Sequence, residues 1–289
     1  MHATIRSMLL AILALTVTGC ARVDRRPVAT HPLDGPATIP LSTYVGPLRS
    51  MTVTVANAAH QFIFDTGGGE TMITPELASA IGCLPYGRTI GFRASGEQVA
   101  FEYCDDVSLR LGDVAITHER VGVFDLKSIL PAGAPPADGV VSLRSFHGQA
   151  VTMDLTKGRI TVETANSLVA RTRGVRPLTI RVATGPTGAE TTVYIGARVG
   201  GRRVWLLLDS GNGDPLLVAP HVARMAGLMV SKGEALIELD GLGPIRLPTS
   251  AQNMIYDGML GAAFLEEWIF TLDLGSSRAW AVPAARPNP

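Results

Sequence analysis

The chain has 289 residues, with 25 basic and 25 acidic side chains and a formal net charge of +0 at pH 7. Only 17% of its residues are charged, and no cluster of Lys and Arg marks a nucleic-acid surface, so we expect no nucleic-acid partner. The length suffices for one large domain or two small ones, and the 31 glycines and 19 prolines are typical of a loop-rich β protein.

Residues 1–19 are predicted to be a lipoprotein signal peptide. A basic start is followed by the apolar run from Met8 to Val17, too short to span a bilayer as a helix, and by small residues before Cys20. This order resembles a bacterial lipoprotein signal, in which Cys20 is lipidated. The alternative is an ordinary secretory signal with a chance cysteine. Because Ala21 is not the aspartate that retains such lipoproteins at the inner membrane, the resemblance implies an outer-membrane anchor facing the periplasm.

The following residues divide into a tether and two lobes. Residues 20–45 carry four prolines and few large apolar side chains, which predicts a flexible tether. The N-terminal lobe is predicted at 46–168, a linker with several arginines at 169–177, and the C-terminal lobe at 178–283.

The two predicted lobes carry the same motif. Phe62-Ile63-Phe64-Asp65-Thr66-Gly67 recurs as Leu206-Leu207-Leu208-Asp209-Ser210-Gly211, and each copy leads through a proline into a short helical segment. A second motif also occurs in each half, as Asp138-Gly139-Val140-Val141-Ser142-Leu143 and as Asp257-Gly258-Met259-Leu260-Gly261-Ala262. Such a long internal repeat indicates two copies of one structural unit.

The repeated triplet behind an apolar strand, with its second motif, resembles the aspartic peptidases, and specifically the retropepsin-like fold doubled in one chain as in the pepsin-like bilobal arrangement. The resemblance covers residues 48–283. It implies an all-β fold of two similar lobes, each with a short helix, and an active cleft between them. The distance from triplet to second motif is shorter in the C-terminal copy, and we expect the missing length to lie between the hairpin position and the second motif.

The resemblance implies that Asp65 and Asp209 are catalytic. Two carboxyl groups in close contact share one proton, so one can act as base and the other as acid when water attacks a peptide bond. The family's supporting loops correspond here to Thr66, Gly67, Ser210 and Gly211. We therefore predict an aspartic endopeptidase that acts as a monomer on a peptide or protein substrate and needs no cofactor or metal.

A predicted hairpin lies between the first triplet and its second motif. In the family this position belongs to a flap that closes over the substrate, which implies that role for Phe92, Ala94, Ser95 and Gly96. The alternative is an ordinary surface hairpin.

Two further cysteines, Cys83 and Cys104, lie in the same region. In an exported protein they could form a disulfide, and the alternative of two buried thiols remains open because spacing does not fix the geometry.

Three positions depart from the family pattern. Gly68 and Asn212 stand where relatives commonly have alanine or serine after the triplet, and Ser142 stands where the second motif has glycine. These departures favour an alternative function, a catalytically weak or inactive retropepsin-like module that binds peptides in the cell envelope.

Overall fold

The computed structural model describes residues 29–30, 35–185, 188–228 and 232–285. The predicted signal peptide and Cys20 lie outside these residues. None of the helices in the described part of the chain combines the length and apolar character that crossing a membrane requires.

The N-terminal half of the described chain is mostly β-strand, with two helices and two short 3-10 turns at Leu126–Ser128 and Leu143–Phe146. Its elements are β1 (Ala29–Thr30), β2 (Ala37–Pro40), β3 (Ser42–Thr43), β4 (Arg49–Val55), β5 (Ala58–Phe64), β6 (Met72–Ile73), α1 (Pro75–Ala80), β7 (Tyr86–Phe92), β8 (Gln98–Leu111), β9 (Val114–Val123), β10 (Gly139–Val141), β11 (Ala150–Asp154), β12 (Arg159–Glu163) and α2 (Ala165–Thr172).

The C-terminal half has the same character. Its elements are β13 (Ile180–Ala183), β14 (Thr192–Val199), β15 (Arg202–Asp209), β16 (Leu216–Val218), α3 (Pro220–Met225), β17 (Lys232–Leu239), β18 (Gly243–Ala251), β19 (Gly258–Gly261), α4 (Ala262–Leu265), β20 (Trp268–Asp273) and β21 (Arg278–Pro283).

The described strands form one sheet in each lobe and a third sheet shared by both halves. The N-terminal sheet has the order β1-β9-β6-β10-β5-β4-β8-β7, with β3 paired to β4, and the C-terminal sheet has the order β13-β14-β15-β19-β16-β18-β17. The shared sheet runs β2-β12-β11-β20-β21. Because β11 of the first half pairs with β20 of the second, this sheet joins the lobes.

The two lobes repeat one topology. β5 pairs antiparallel with β4 and parallel with β10, just as β15 pairs antiparallel with β14 and parallel with β19. β6 and β16 then pair parallel with β9 and β18 respectively. The prediction of two similar all-β lobes, each with a short helix, is confirmed.

The second motifs lie next to the strands that carry the triplets. Asp138 and Asp257 each accept a backbone N–H from β5 or β15, and each also meets a histidine, with His60 Nδ1 at 3.1 Å and His221 Nε2 at 3.0 Å. In each lobe the second motif therefore holds its own strand beside the strand that carries the triplet, β10 beside β5 and β19 beside β15.

The two predicted boundary segments both contain regular structure. β2 lies inside the predicted tether but pairs with β12 and buries Ile39 to 1% exposure, so the tether prediction is wrong for the residues of β2. A proline is tolerated there because β2 is an edge strand. Helix α2, which Thr164 and Ser167 start with a capping box, runs across the predicted linker boundary at residue 169.

Only part of the shortening of the C-terminal lobe lies where we expected it. β17 pairs with β14 as β8 pairs with β4, so the hairpin with Gly241 at its turn corresponds to β8–β9. Among the described residues, the C-terminal lobe has no strand equivalent to β7. The whole β7 hairpin is missing from it, as well as residues before the second motif.

Candidate functional site

The two triplets meet where β5 and β15 end, and their hydroxyl groups cross-brace the two lobes. Thr66 Oγ1 donates to the carbonyl of Leu208 at 2.7 Å and accepts the N–H of Ser210 at 3.0 Å. Ser210 Oγ donates to the carbonyl of Phe64 and accepts the N–H of Thr66, both at 3.0 Å. Since Thr66 and Ser210 are buried, these four hydrogen bonds hold the loops in fixed register.

Gly67 and Gly211 allow each carboxyl group to lie against the opposite loop. A β-carbon at position 67 would lie 2.5 Å from Cγ of Asp209, and one at position 211 would lie 2.6 Å from Cγ of Asp65. Each aspartate also accepts the N–H of the glycine two residues later in its own loop, at 2.8 and 2.9 Å. The lack of side chains at these glycines therefore permits the close approach.

The two carboxyl groups interact directly, because each contributes to the pKa shift of the other. Burial raises the pKa of Asp65, although the backbone N–H of Gly67 and the bond to Asp209 oppose the shift. Burial, and then the charge of Asp65, raises the pKa of Asp209 well above its ordinary value. The pair therefore titrates as a unit, and when it carries one proton it can donate one hydrogen bond and accept several.

The surroundings of the two carboxyl groups differ. A β-carbon at Gly68 would lie 3.0 Å from Oδ2 of Asp65, so this glycine leaves space beside that oxygen. At the corresponding position, Asn212 accepts the N–H of Asp214 through Oδ1, while its buried Nδ2 has no hydrogen-bond partner within the described chain. The two aspartates therefore have different neighbours at this position, a glycine in one loop and an asparagine in the other.

The β7–β8 hairpin reaches across the cleft. Phe92 ends β7 and is 55% exposed, and Ser95 and Gly96 lie in the turn. The carbonyl of Ala94 accepts the N–H of Ile255 from the C-terminal lobe at 2.9 Å. The hairpin that the sequence indicated as a flap therefore contacts the opposite lobe.

A second carboxyl pair beside the triplet loops escaped the sequence analysis. Glu70 is 5% exposed and accepts the hydroxyl of Tyr103 at 3.3 Å. Burial, and then the charge of Glu190, raises the pKa of Glu70 to about 7, and burial also raises the pKa of Glu190. The acid directly after the Gly67-Gly68-Gly69 run is a sequence signal for Glu70, whereas nothing in the sequence indicates Glu190.

The structure joins Cys83 and Cys104 in a disulfide, with their Cα atoms 6.1 Å apart. The bond connects the residues after α1 to β8 and so fixes the base of the hairpin. Within the described residues, no group of three or more His, Cys, Asp or Glu side chains is arranged to hold a metal ion.

The comparisons with known proteins support the fold and no family. No family model and no curated protein sequence matches the chain. Among solved structures, it resembles basic 7S globulin from soybean, with a TM-score of 0.58 and 11% identity over 87% of this chain and 95% of that one. It also resembles conglutin gamma, a unique basic 7S globulin from lupine seeds, with a TM-score of 0.55 and 12% identity over 86% and 94% of the two chains.

These comparisons correct two expectations. The assignment to the retropepsin-like aspartic peptidases is wrong, because no family model and no curated sequence supports it and the two solved structures described above are basic 7S globulins. The expectation of an aspartic endopeptidase is contradicted by the same two structures, whose names are those of globulins and not of peptidases. The motif still predicted the right architecture. Its hydroxyl residues, Thr66 and Ser210, form the hydrogen bonds that join the two lobes, and these bonds do not depend on catalytic activity.

Proposed function

We propose that this protein is a catalytically inactive module that binds an extended peptide in the cleft between its lobes. The observation that carries the proposal is the cross-braced pair Asp65 and Asp209, which lies at the meeting point of the lobes beneath the β7–β8 hairpin. The likeness to two solved structures that are named as globulins supports binding without hydrolysis.

The carboxyl pair suits the recognition of a peptide group. A peptide presents one N–H donor and one carbonyl acceptor per residue, and a pair of carboxyls with one proton offers both kinds of partner. The partly exposed position of both aspartates and the exposed Gly68 leave this pair accessible from the cleft. Hydrogen bonds to an ionised partner are among the stronger ones, so the pair anchors the peptide backbone.

We further propose that the protein is exported and anchored to the outer membrane through a lipid on Cys20. The order of signal, small residues and cysteine supports this location. The Cys83–Cys104 disulfide is in keeping with it, because disulfides persist in oxidising compartments. Both carboxyls come from one chain, so a monomer suffices for binding.

The test is equilibrium binding of a pool of fluorescent ten-residue peptides of random sequence to the full chain in detergent. We expect saturable binding and peptides that remain intact by mass spectrometry. Asp209→Asn should weaken binding about tenfold, since it removes one of the two ionisable groups that would hydrogen-bond the peptide. Asp113→Asn, an equivalent change at an exposed turn, should bind as the wild type does.

Two results would contradict the proposal. Absence of binding to the folded protein would remove the peptide-binding function. Cleavage products from the wild type that disappear with Asp65→Asn would show that the protein hydrolyses its ligand.

A further inference from the structure

The outer face of the strand before each triplet is apolar, but the two lobes cover this face differently. In the N-terminal lobe Ile63 and Val140 form a cluster with Leu126 and Ala137, and Phe124 and Leu130 pack against it. The segment 124–137 of the same lobe thus covers them.

In the C-terminal lobe the corresponding residues, Leu207 and Met259, form a cluster with Leu217. These three side chains are 2%, 2% and 6% exposed. Within the described chain, the partly buried apolar side chains that pack against them are Tyr194, Met254, Tyr256 and, from the other lobe, Ala94.

The tip of the β7–β8 hairpin, residues 93–97, therefore fills a position that the C-terminal lobe leaves open. The Ala94 methyl packs into the apolar cluster while its carbonyl accepts the N–H of Ile255 at 2.9 Å. A β-carbon at Gly96 would lie 3.1 Å from Cγ2 of Ile255, so the tip fits closely against that residue. Within the tip, the N–H of Gly96 donates to the carbonyl of Arg93 at 2.8 Å, which keeps the turn tight.

The cluster is also near the carboxyl pair. Leu207 lies two residues before Asp209 on β15, so both side chains are on the same side of that strand, and the rings of Tyr256 and Tyr194 are 5.9 Å apart in an edge-to-face arrangement. A side chain that enters the cluster therefore lies beside the floor of the cleft.

Resting on the function proposed above, we propose that this cluster is a subsite for one apolar side chain of the bound peptide and that Ala94 occupies it when the cleft is empty. The subsite is lined by Tyr194, Leu207, Leu217, Met254, Tyr256 and Met259. Ala94 offers it a methyl group and a peptide carbonyl, which are the groups that an aliphatic residue of an extended peptide offers. A Val or Leu residue of the ligand would place its side chain in the cluster, and its carbonyl would accept the N–H of Ile255 in place of the Ala94 carbonyl. The hairpin tip, residues 93–97, therefore competes with the peptide, and we call it the latch.

The test compares Ala94→Gly with the wild type, both as the full chain in detergent. Removing one partly buried methyl from the competing latch should tighten peptide binding by up to about fourfold. The matched control is Ala100→Gly, the same change at an exposed position on β8 of the same hairpin, which should leave affinity unchanged. The probes are two pools of fluorescent ten-residue peptides, with leucine or serine at the central position, and the leucine pool should bind more tightly.

A second measurement needs no ligand. The amide of Ile255 donates to the carbonyl of residue 94. Loss of the Ala94 methyl should loosen the packing that holds this carbonyl in place, so the amide should exchange its hydrogen faster in Ala94→Gly than in Ala100→Gly. Equal affinity of all three proteins for the leucine pool, with peptide binding intact, would overturn the subsite alone. Failure of every pool to bind any of the three proteins would overturn the proposed function, and the subsite with it.

Discussion

The two lobes share a topology but differ in how they enclose the site. The N-terminal lobe covers the outer face of its aspartate strand with its own segment 124–137, whereas in the C-terminal lobe Ala94 of the other lobe contributes part of this cover. The N-terminal lobe alone carries the β7 strand and the disulfide within the described residues. Repetition of the unit thus provides the paired carboxyls, and divergence between the copies provides the cover of the cleft.

A second difference lies directly beneath the triplet loops. Gly261 packs so closely that a β-carbon there would lie 2.1 Å from the carbonyl oxygen of Asp214 and 2.5 Å from that of Asn212. At the equivalent position of the other lobe, buried Ser142 donates to the carbonyl of Gly69 at 3.1 Å and accepts the N–H of Arg144 at 3.1 Å. The same backbone position is therefore tightly packed in one lobe and hydrogen-bonded through a side chain in the other.

Exchanging these two residues should give the largest effect. Gly261→Ser forces a β-carbon into two backbone oxygens, which cannot give way as a flexible side chain can, so we expect a loss on the order of 4 kcal/mol in the free energy of unfolding. Ser142→Gly only removes hydrogen bonds of a buried hydroxyl and should cost about 1 to 2 kcal/mol. Urea unfolding followed by circular dichroism measures both.

The control for this exchange is Gly213→Ser, because a β-carbon at position 213 would lie an ordinary 3.6 Å from Cγ of Pro47. Its unfolding free energy should change by less than about 1 kcal/mol. Similar losses for Gly261→Ser and Ser142→Gly would show that the two lobes pack their loops alike.

The sequence predicted the architecture because the repeat consists of short contiguous motifs. Three apolar residues, an aspartate, a hydroxyl and a glycine specify a buried strand that runs into a tight loop, and the second motif specifies the strand that pairs with it. The meeting of Asp65 with Asp209 followed from the doubling. These features depend on residue type and spacing, which the sequence displays directly.

Contacts between distant segments were not predictable in this way. The pairing of Glu70 with Glu190, and the packing of Ala94 onto Leu207, depend on how the lobes face each other. The absence of a β7 equivalent from the second lobe was not predicted, because by composition the turn at Gly241 could belong to a counterpart of β7–β8 or of β8–β9. The predicted activity was contradicted because the residues that build the cross-brace specify how the lobes meet and do not by themselves specify a reaction.

Loss of the disulfide should sharpen the contrast between the lobes. Cys83 and Cys104 are separated by 21 residues in sequence, and a loop of this size stabilises the folded state by roughly 3 kcal/mol in the chain-entropy account. Replacing both cysteines with alanine should lower the unfolding free energy by about that amount. Hydrogen exchange should rise in residues 86–103 of the hairpin and change little in β17–β18, the hairpin of the other lobe. An equal rise in both hairpins would contradict a stabilisation confined to one lobe.

The pH dependence of stability should show a smaller difference at Glu70. Its pKa of about 7 in the folded protein lies above the ordinary value of 4.5, so its contribution to stability is fully present below pH 4.5 and is lost as the pH rises through 7. Glu70→Gln cannot ionise and keeps an acceptor for Tyr103. Its unfolding free energy should match the wild type at pH 4 and exceed it by about 2 kcal/mol at pH 8.

The partner variant separates the two causes of this shift. Because the charge of Glu190 contributes to the raised pKa of Glu70, Glu190→Gln should reduce the loss of stability between pH 4 and 8 without abolishing it, since burial is the larger cause. Urea unfolding across this pH range measures both variants. The difference in unfolding free energy between Glu70→Gln and the wild type could instead stay constant from pH 4 to 8. Glu70 would then ionise normally, and Glu190 would not raise its pKa.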